Sequence, residues 1–278
     1  MELWKAVILG IVEGVTEFLP VSSTGHLTIA EKMLGLQVND VAVTAYTAII
    51  QVGAIAAAVI YFWRDIVRIV VAFVRGLFSA EARQSPDWRL SLAVLVGCVP
   101  IGIIGLAGKH LIEGPLRTLW VVAGGLIVWS GVMVFAERAA TQQRSERDVT
   151  LMDGLFIGLA QCFALVPGVS RSGATISAGL LRDIDRVTAT RLSFFLGIPA
   201  LSAAGLLEAV TAADGISARV GWGATAVGTV ISFVVAYASI AWLLKYVSRH
   251  SIVTFVWYRL GLAALLIAAL ATGVLAAT

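Results

Sequence analysis

The sequence predicts an all-α polytopic membrane protein with six transmembrane helices, two re-entrant helical hairpins and an internal repeat of inverted topology. Three observations predict it. The chain of 278 residues is 59% hydrophobic and only 13% charged, where soluble globular chains run to about 25% charged and about 45–50% apolar. Its apolar residues gather in runs of about 20, the length that carries a helix across the hydrocarbon core. Two further apolar segments are broken at proline, and the two breaks resemble each other.

The first broken segment covers roughly 3–36 and is interrupted at Pro20-Val21-Ser22-Ser23-Thr24-Gly25. Proline removes a backbone donor and clashes with the preceding turn. Freed backbone groups at membrane depth are tolerated only where they face protein or water. The segment therefore reads as two short helices in a re-entrant hairpin rather than as one kinked span. Residues Met1 to Ile11 carry no A-x-A-like cleavage site, and Glu13 and Glu17 stand where a signal peptide is apolar, so they read as part of the mature protein. Spans follow at roughly 43–63, 90–108 and 118–136. The polar stretch 137–150, with Glu137, Arg138, Arg144, Glu146, Arg147 and Asp148, is a linker. The second broken segment, roughly 151–181, is interrupted at Pro167-Gly168-Val169-Ser170-Arg171-Ser172-Gly173, and spans at 191–210, 221–244 and 255–276 complete the chain. The organisation is one integral membrane domain over 1–278, with repeat one about 1–136 and repeat two about 151–278.

An ungapped shift of 148 residues lays Gly10 on Gly158, Glu13 on Gln161, Ser22 on Ser170, Thr24 on Ser172 and Gly25 on Gly173. Paired interrupted segments at corresponding places in two halves point to a site at the repeat interface within the membrane. A hairpin makes no net crossing and three spans are an odd number, so the second half is expected to be inverted. Basic residues set the orientation. Arg64, Arg68, Arg75, Arg83, Arg89, Arg138, Arg144, Arg147, Arg182, Arg186, Arg191, Lys245 and Arg249 fall on one side. Lys5, Lys32, Lys109, Arg117 and Arg219 fall on the other. The tally of 13 against 5 makes the first side cytoplasmic and both termini external. The basic residues sit mainly in short loops, so the net charge of +3 gives no reason to expect nucleic acid as a partner. Cys98 and Cys162 lie in apolar segments without metal or disulfide spacing.

Ionisable groups inside apolar segments are costly and are functional candidates. Glu13 and Glu17 are spaced i, i+4 on one helix face, which suits a divalent cation or a base beside a protonated acid. The structural alternative is capping or a pair with Lys5. His26 lies beside Ser22, Ser23 and Thr24 and reads as a nucleophile, a proton shuttle or a hydrogen-bonded core residue. Arg171 is the sharpest single residue: its planar fork matches phosphate oxygens, and the break between Ser170 and Ser172 exposes backbone N–H groups that bind phosphate. Its structural alternative is an ion pair with Glu17 or Glu13. Acids on one hairpin and an Arg among hydroxyls on the other suit phosphoryl transfer. They also suit a transporter that binds an anion at its midplane.

The stretches Glu13-Gly-Val-Thr-Glu17-Phe-Leu-Pro-Val-Ser-Ser-Thr-Gly-His26 and Pro167-Gly-Val-Ser-Arg-Ser-Gly-Ala-Thr175 resemble the two signature motifs of the undecaprenyl-pyrophosphate phosphatase family of the bacitracin-resistance type. The likeness covers essentially the whole chain, including Ile50-Gln51-Val52-Gly53 and Tyr61-Phe62-Trp63-Arg64. It implies hydrolysis of undecaprenyl pyrophosphate to undecaprenyl phosphate and inorganic phosphate in the bacterial inner membrane. It further implies recycling of the lipid carrier for peptidoglycan, an outward-facing site, and dependence on Mg²⁺ or Ca²⁺ held by Glu13 and Glu17. By motif position, Glu13, Glu17, Ser23, His26 and Arg171 would be catalytic, and Ser22, Thr24, Ser170, Ser172 and Thr175 would bind substrate. Ser23 is the preferred nucleophile, with His26 as base or leaving-group acid, and His26 as nucleophile is the alternative. One departure is visible: where the family has Phe followed by an acid, this chain has Tyr46-Thr47. Besides lipid, a homodimer is among the partners the sequence allows. A carrier-lipid flippase is the rival function, since inverted repeats with broken helices also build transporters.

Overall fold

The computed structural model describes residues 1–37, 40–108, 116, 118–211 and 220–276. Among these the chain is helical throughout, with one isolated bridge between Arg144 and Ile184. The first broken segment forms α1 (Leu3–Thr16) and α2 (Ser23–Met33), joined by a tip at 17–22. The second forms α7 (Leu151–Gln161) and α8 (Arg171–Leu181), joined through a 3-10 turn at Cys162–Leu165. Between them run α3 (Val41–Tyr61), α4 (Trp63–Phe78), α5 (Pro86–Ala107) and α6 (Leu119–Ala139). After the second pair come α9 (Arg186–Thr211), α10 (Trp222–Val247) and α11 (Val253–Ala271).

Five of these helices are long and apolar enough to cross a membrane: α3, α5, α6, α10 and α11. The sixth expected span, 191–210, falls within the 26-residue helix α9, part of whose C-terminal side chains lies outside the described residues. Of the basic tally, Lys109, Arg117 and Arg219 also lie outside them. One element had no counterpart in the expected spans. After Tyr61 the chain turns at Phe62 and forms α4, whose exposed Val67, Val70, Val71, Val74 and Phe78 share one face with Arg64 and Arg75 at its edge.

Both helix pairs are locked in the same way. α1 packs on α10 and α7 packs on α5, in each case the second long helix of the other half. Glycine meets glycine at each crossing: a Cβ on Gly10 would lie 2.6 Å from Gly228 O, and one on Gly158 would lie 2.2 Å from Gly97 O. Close backbone approach through small residues is how helices associate where no hydrophobic drive exists. The halves therefore exchange their short helices, which brings both tips into one core.

Ion pairs gather at one end of the molecule. Arg68 of α4 pairs with Asp65, Asp87 and Glu146, and Arg191 of α9 reaches Asp65 at 2.7 Å and Glu146 at 3.0 Å. Arg144 Nη1 (3.0 Å) and Arg182 Nε (2.7 Å) both donate to Asp153, anchoring the start of α7 to the linker. In the loop after α8, the Thr141 amide and hydroxyl donate to Asp183 and hold its carboxyl below the usual carboxylate range.

Candidate active site

Each tip ends in the same backbone device. Ser22 (φ 76°) and Ser170 (φ 78°) occupy the left-handed region, a conformation that costs a non-glycine residue about 1–3 kcal/mol and clusters at functional sites. Each caps the helix that follows: Ser22 Oγ accepts from Gly25 N at 3.4 Å, and Ser170 Oγ accepts from Gly173 N at 3.2 Å. The turn makes Ser23 the first residue of α2 and Arg171 the first residue of α8. Helix N-termini attract anions through their unpaired N–H groups and dipole. The shift of 148 residues pairs these two positions.

The tips touch directly. Ser172 Oγ donates to Leu19 O at 2.8 Å, and Arg171 Nη2 lies 3.5 Å from Glu17 Oε1. Arg171 Nη1 donates to Ser193 O on α9 at 2.7 Å, while the buried Nε has no partner among the described residues. Its guanidinium carbon sits 5.8 Å from the centroid of Phe18, and Gly197 leaves the space it needs, since a Cβ there would fall 2.1 Å from Nη1. Thr175 Oγ1 stands 2.9 Å from Arg171 O and 2.7 Å from Ser193 Oγ, which fixes the first turn of α8 to α9. The pairing of Arg171 with Glu17 foreseen as a structural alternative is thus present, at a distance too long to satisfy the fork.

Ser23 Oγ donates to Glu17 Oε2 at 2.6 Å, the length of a charge-assisted O–H···O⁻ bond. His26 is placed otherwise. Its Nδ1 lies 2.8 Å from Ser22 O and its Nε2 lies 2.6 Å from Tyr258 OH, with the two rings stacked. The group in contact with the Ser23 hydroxyl is therefore Glu17, and both ring nitrogens of His26 are engaged elsewhere.

Two cavities meet at the first tip. One of about 140 Å³ is lined by Glu17, Ser22, Ser23, Thr24, Gln51, Ser170 and Arg171, with Ile101, Leu165, Pro167 and Leu201 as apolar wall. The other, about 240 Å³, is lined by Glu13, Ser23, Thr24, Thr28, Glu31, Thr44, Thr47 and Gln51. Glu13 and Glu17 thus line different cavities, which share Ser23, Thr24 and Gln51. Lys5 pairs with Glu2 at 3.1 Å rather than with Glu13. Glu13 is 1% exposed, and among the described residues neither of its oxygens has a hydrogen-bond partner. Such an orphaned carboxylate among hydroxyl and amide oxygens fits a hard divalent cation, which takes oxygen ligands and completes its shell with water and phosphate. Among the described residues no three His, Cys, Asp or Glu side chains gather as a metal cluster, so further ligands would come from those neutral oxygens.

All ten residues singled out in the sequence lie at or beside the tips. Several lining residues were not singled out. Thr28 and Glu31 enter the larger cavity from α2, and Gln51, quoted only as part of a motif, enters both. Glu31 lies in the mixed helix α2 next to Lys32, so its sequence setting does not mark it as Glu13 is marked in the apolar α1. The Tyr46-Thr47 departure has a structural account on one side: Tyr46 OH is buried and donates to Ala6 O at 2.9 Å, tying α3 to α1, while Thr47 lines the cavity next to Glu13.

Comparison with known proteins bears directly on this geometry. Residues 6–265 match the family described as bacitracin resistance protein BacA. The chain is 56% identical over 278 residues to undecaprenyl-diphosphatase 3 of Frankia casuarinae, each chain being covered in full. It is 53% identical over 284 residues to the undecaprenyl-diphosphatase of Cutibacterium acnes, again with both chains fully covered. To that of Acidothermus cellulolyticus it is 55% identical over 269 residues, 97% of each chain. With the match running through both tips and nearly every helix, the chain belongs to the bacitracin resistance protein BacA family.

Proposed function

We propose that this chain is an undecaprenyl-diphosphatase, which hydrolyses undecaprenyl pyrophosphate to undecaprenyl phosphate and inorganic phosphate and so returns the carrier lipid to envelope synthesis. Full-length likeness to enzymes of that name supports the activity. The observation that carries the site is the meeting of two helix starts at one cavity: Ser23 bonded to a carboxylate, opposite Arg171 with an unused Nε.

Arg171 and the N-terminus of α8 hold the pyrophosphate, with Ser170 and Ser172 beside them and Ser22 and Thr24 on the facing tip. Ser23 Oγ attacks the terminal phosphorus as its proton passes to Glu17. The bond to the bridging oxygen breaks and undecaprenyl phosphate leaves as an anion facing Arg171. Glu17 releases that proton to solvent. Water then attacks the phosphoserine as Glu17 takes a proton from it, the bond from phosphorus to Ser23 Oγ breaks, and Glu17 returns the proton to Ser23 as inorganic phosphate departs. Thr175 holds Arg171 in place, and His26 holds the Ser22 carbonyl at the turn and moves protons at the Tyr258 edge. Glu13 would hold Mg²⁺ or Ca²⁺ with the neutral oxygens of the larger cavity, and the ion supplies neutralisation of phosphate charge when bound; Glu17, its expected second ligand, faces Ser23 and Arg171 instead. The apolar wall of the cavity suits the first isoprene units. Removing the pyrophosphate lipid removes the target of bacitracin.

The two helix pairs are read as re-entrant hairpins from opposite faces, related by an inverted repeat, with the site open to the outer face. Their exchanged glycine crossings support that reading. A homodimer would register as a doubled mass on sedimentation in detergent.

The test is phosphate release by purified protein from a long-chain polyprenyl pyrophosphate in detergent, with and without chelator. Release that falls on chelation and returns with Mg²⁺ or Ca²⁺ is expected. Arg171→Lys should lose at least about tenfold in kcat/KM, about 1.4 kcal/mol, because a point charge cannot reproduce the fork. Binding without phosphate release would favour the flippase.

A further inference from the structure

Arg259 lies on α11, next to Tyr258, and is fully buried at 0% exposure. A guanidinium keeps its charge and offers five N–H donors in a rigid fork, so burial within a membrane protein is costly unless each finds an acceptor. Among the described residues none of its hydrogen bonds goes to a carboxylate. Nε donates to Ser130 Oγ at 3.1 Å, and the remaining acceptors are backbone carbonyls: Pro20 O at 3.1 Å, Gly168 O at 2.9 Å, and Gly125 O and Leu126 O both at 3.3 Å.

Pro20 and Gly168 are the carbonyls freed where each helix pair breaks. They are 148 residues apart (168 − 20), the spacing that also relates Ser22 to Ser170 and Ser23 to Arg171. One side chain from outside both hairpins therefore binds the equivalent carbonyl of each tip and fastens the pair to α6. Ser23 stands three residues after one bonded carbonyl and Arg171 three residues after the other. The direct contacts between tips, by contrast, run through side chains that the substrate would engage.

We infer that Arg259 is a positioning residue for hydrolysis: its guanidinium clamps Pro20 and Gly168 together and so fixes the separation between the Ser23 hydroxyl and the Arg171 fork. The inference rests on the reading of Ser23 and Arg171 as nucleophile and phosphate clamp. Misplacement of reacting groups by about 1 Å can cost about a hundredfold in rate. Lysine has the charge but presents its donors from a single atom, which cannot serve both tips and α6.

The test uses Arg259→Lys in the full chain, with Cys98 and Cys162 replaced by alanine and spin labels at Leu19→Cys and Val166→Cys to report the distance between tips. In protein that stays monodisperse, kcat should fall at least about tenfold with KM changed less than about twofold, and the distance distribution should broaden. Unchanged kcat with an unchanged distribution overturns the inference. So does a loss of kcat with the tips still held, which would give Arg259 another role. The distance arm requires no assignment of the nucleophile, so its failure is separate from failure of the proposed chemistry. Should the lysine variant not fold, Ser130→Ala, which loosens the fork at Nε alone, should broaden the distribution and lower kcat about threefold. Wild-type values for both would overturn the clamp.

Discussion

A serine hydroxyl attacks phosphorus poorly until a neighbour accepts its proton. Glu17 Oε2, 2.6 Å from Ser23 Oγ, is placed to accept it, whereas His26 spends both ring nitrogens on Ser22 O and Tyr258 OH. Assigning the base to Glu17 leads to an ordered set of losses. Ser23→Ala should abolish turnover while retaining lipid pyrophosphate binding. Glu17→Gln keeps the shape but cannot take the proton, and should cost at least about a hundredfold in kcat. His26→Gln should cost less than Glu17→Gln and leave a residual rate. Single-turnover assays on the three variants rank them. Quench trapping in wild type should yield an acid-stable, base-labile adduct on Ser23. An acid-labile adduct on His26, with turnover persisting in Ser23→Ala, would reassign the nucleophile.

The helices show which parts of the fold can be read from sequence. At the exchanged crossings, Gly10 and Gly158 have no room for a methyl group, because backbone oxygens of Gly228 and Gly97 stand within 2.6 Å and 2.2 Å of the Cβ position. Gly158→Ala should lower stability by about 1–3 kcal/mol, as overpacking does. Gly124→Ala, with nothing within 4 Å, should be neutral or stabilising by up to about 1 kcal/mol. Thermal unfolding in detergent compares them, and equal melting of the two would refute tight crossing. The breaks at Pro20 and Pro167 and the long spans were legible because proline chemistry and apolar run length are local properties. α4 was not, because Asp65, Arg68 and Arg75 interrupt its apolar residues every few positions. Its regularity is that of an amphipathic face, which a search for unbroken runs passes over. The motif residues of the tips were legible for the same local reason. Gln51 and Thr28 reach the cavities from other faces by tertiary packing, for which an ordinary polar residue gives no signal. Arg259 did carry one, as a cation inside the run 255–276, and it stands outside the loop charges that set the orientation.

For the whole molecule, surface and charge divide along one axis. Leu95, Val99, Ile103 and Leu106 on α5, Val128 and Phe135 on α6, Val230 and Val234 on α10 and Leu265 on α11 are exposed, a surface that needs lipid rather than water. The Arg68–Arg191 network, the Arg144–Asp153–Arg182 anchor and the Arg186–Glu137 pair (2.6 Å at Nε) collect at the end that holds the linker. Part of that basic charge is therefore neutralised internally. The positive-inside rule counts Lys and Arg rather than net charge, so pairing does not weaken the orientation it gives. The linker should then be cytoplasmic, and the end of α11 external, on the face where the first helix pair enters and the pyrophosphate would arrive. Single cysteines introduced as Gln143→Cys and Val274→Cys, in a chain with Cys98 and Cys162 replaced, test this with an impermeant thiol reagent on intact spheroplasts. Val274 is 77% exposed, so the reagent has access to it if that end faces out. Labelling at 274 and protection at 143 until the membrane is opened are expected. The reverse pattern would turn the molecule over and give the tips cytoplasmic rather than external access, so that the lipid would have to be hydrolysed before or after crossing the bilayer by another route.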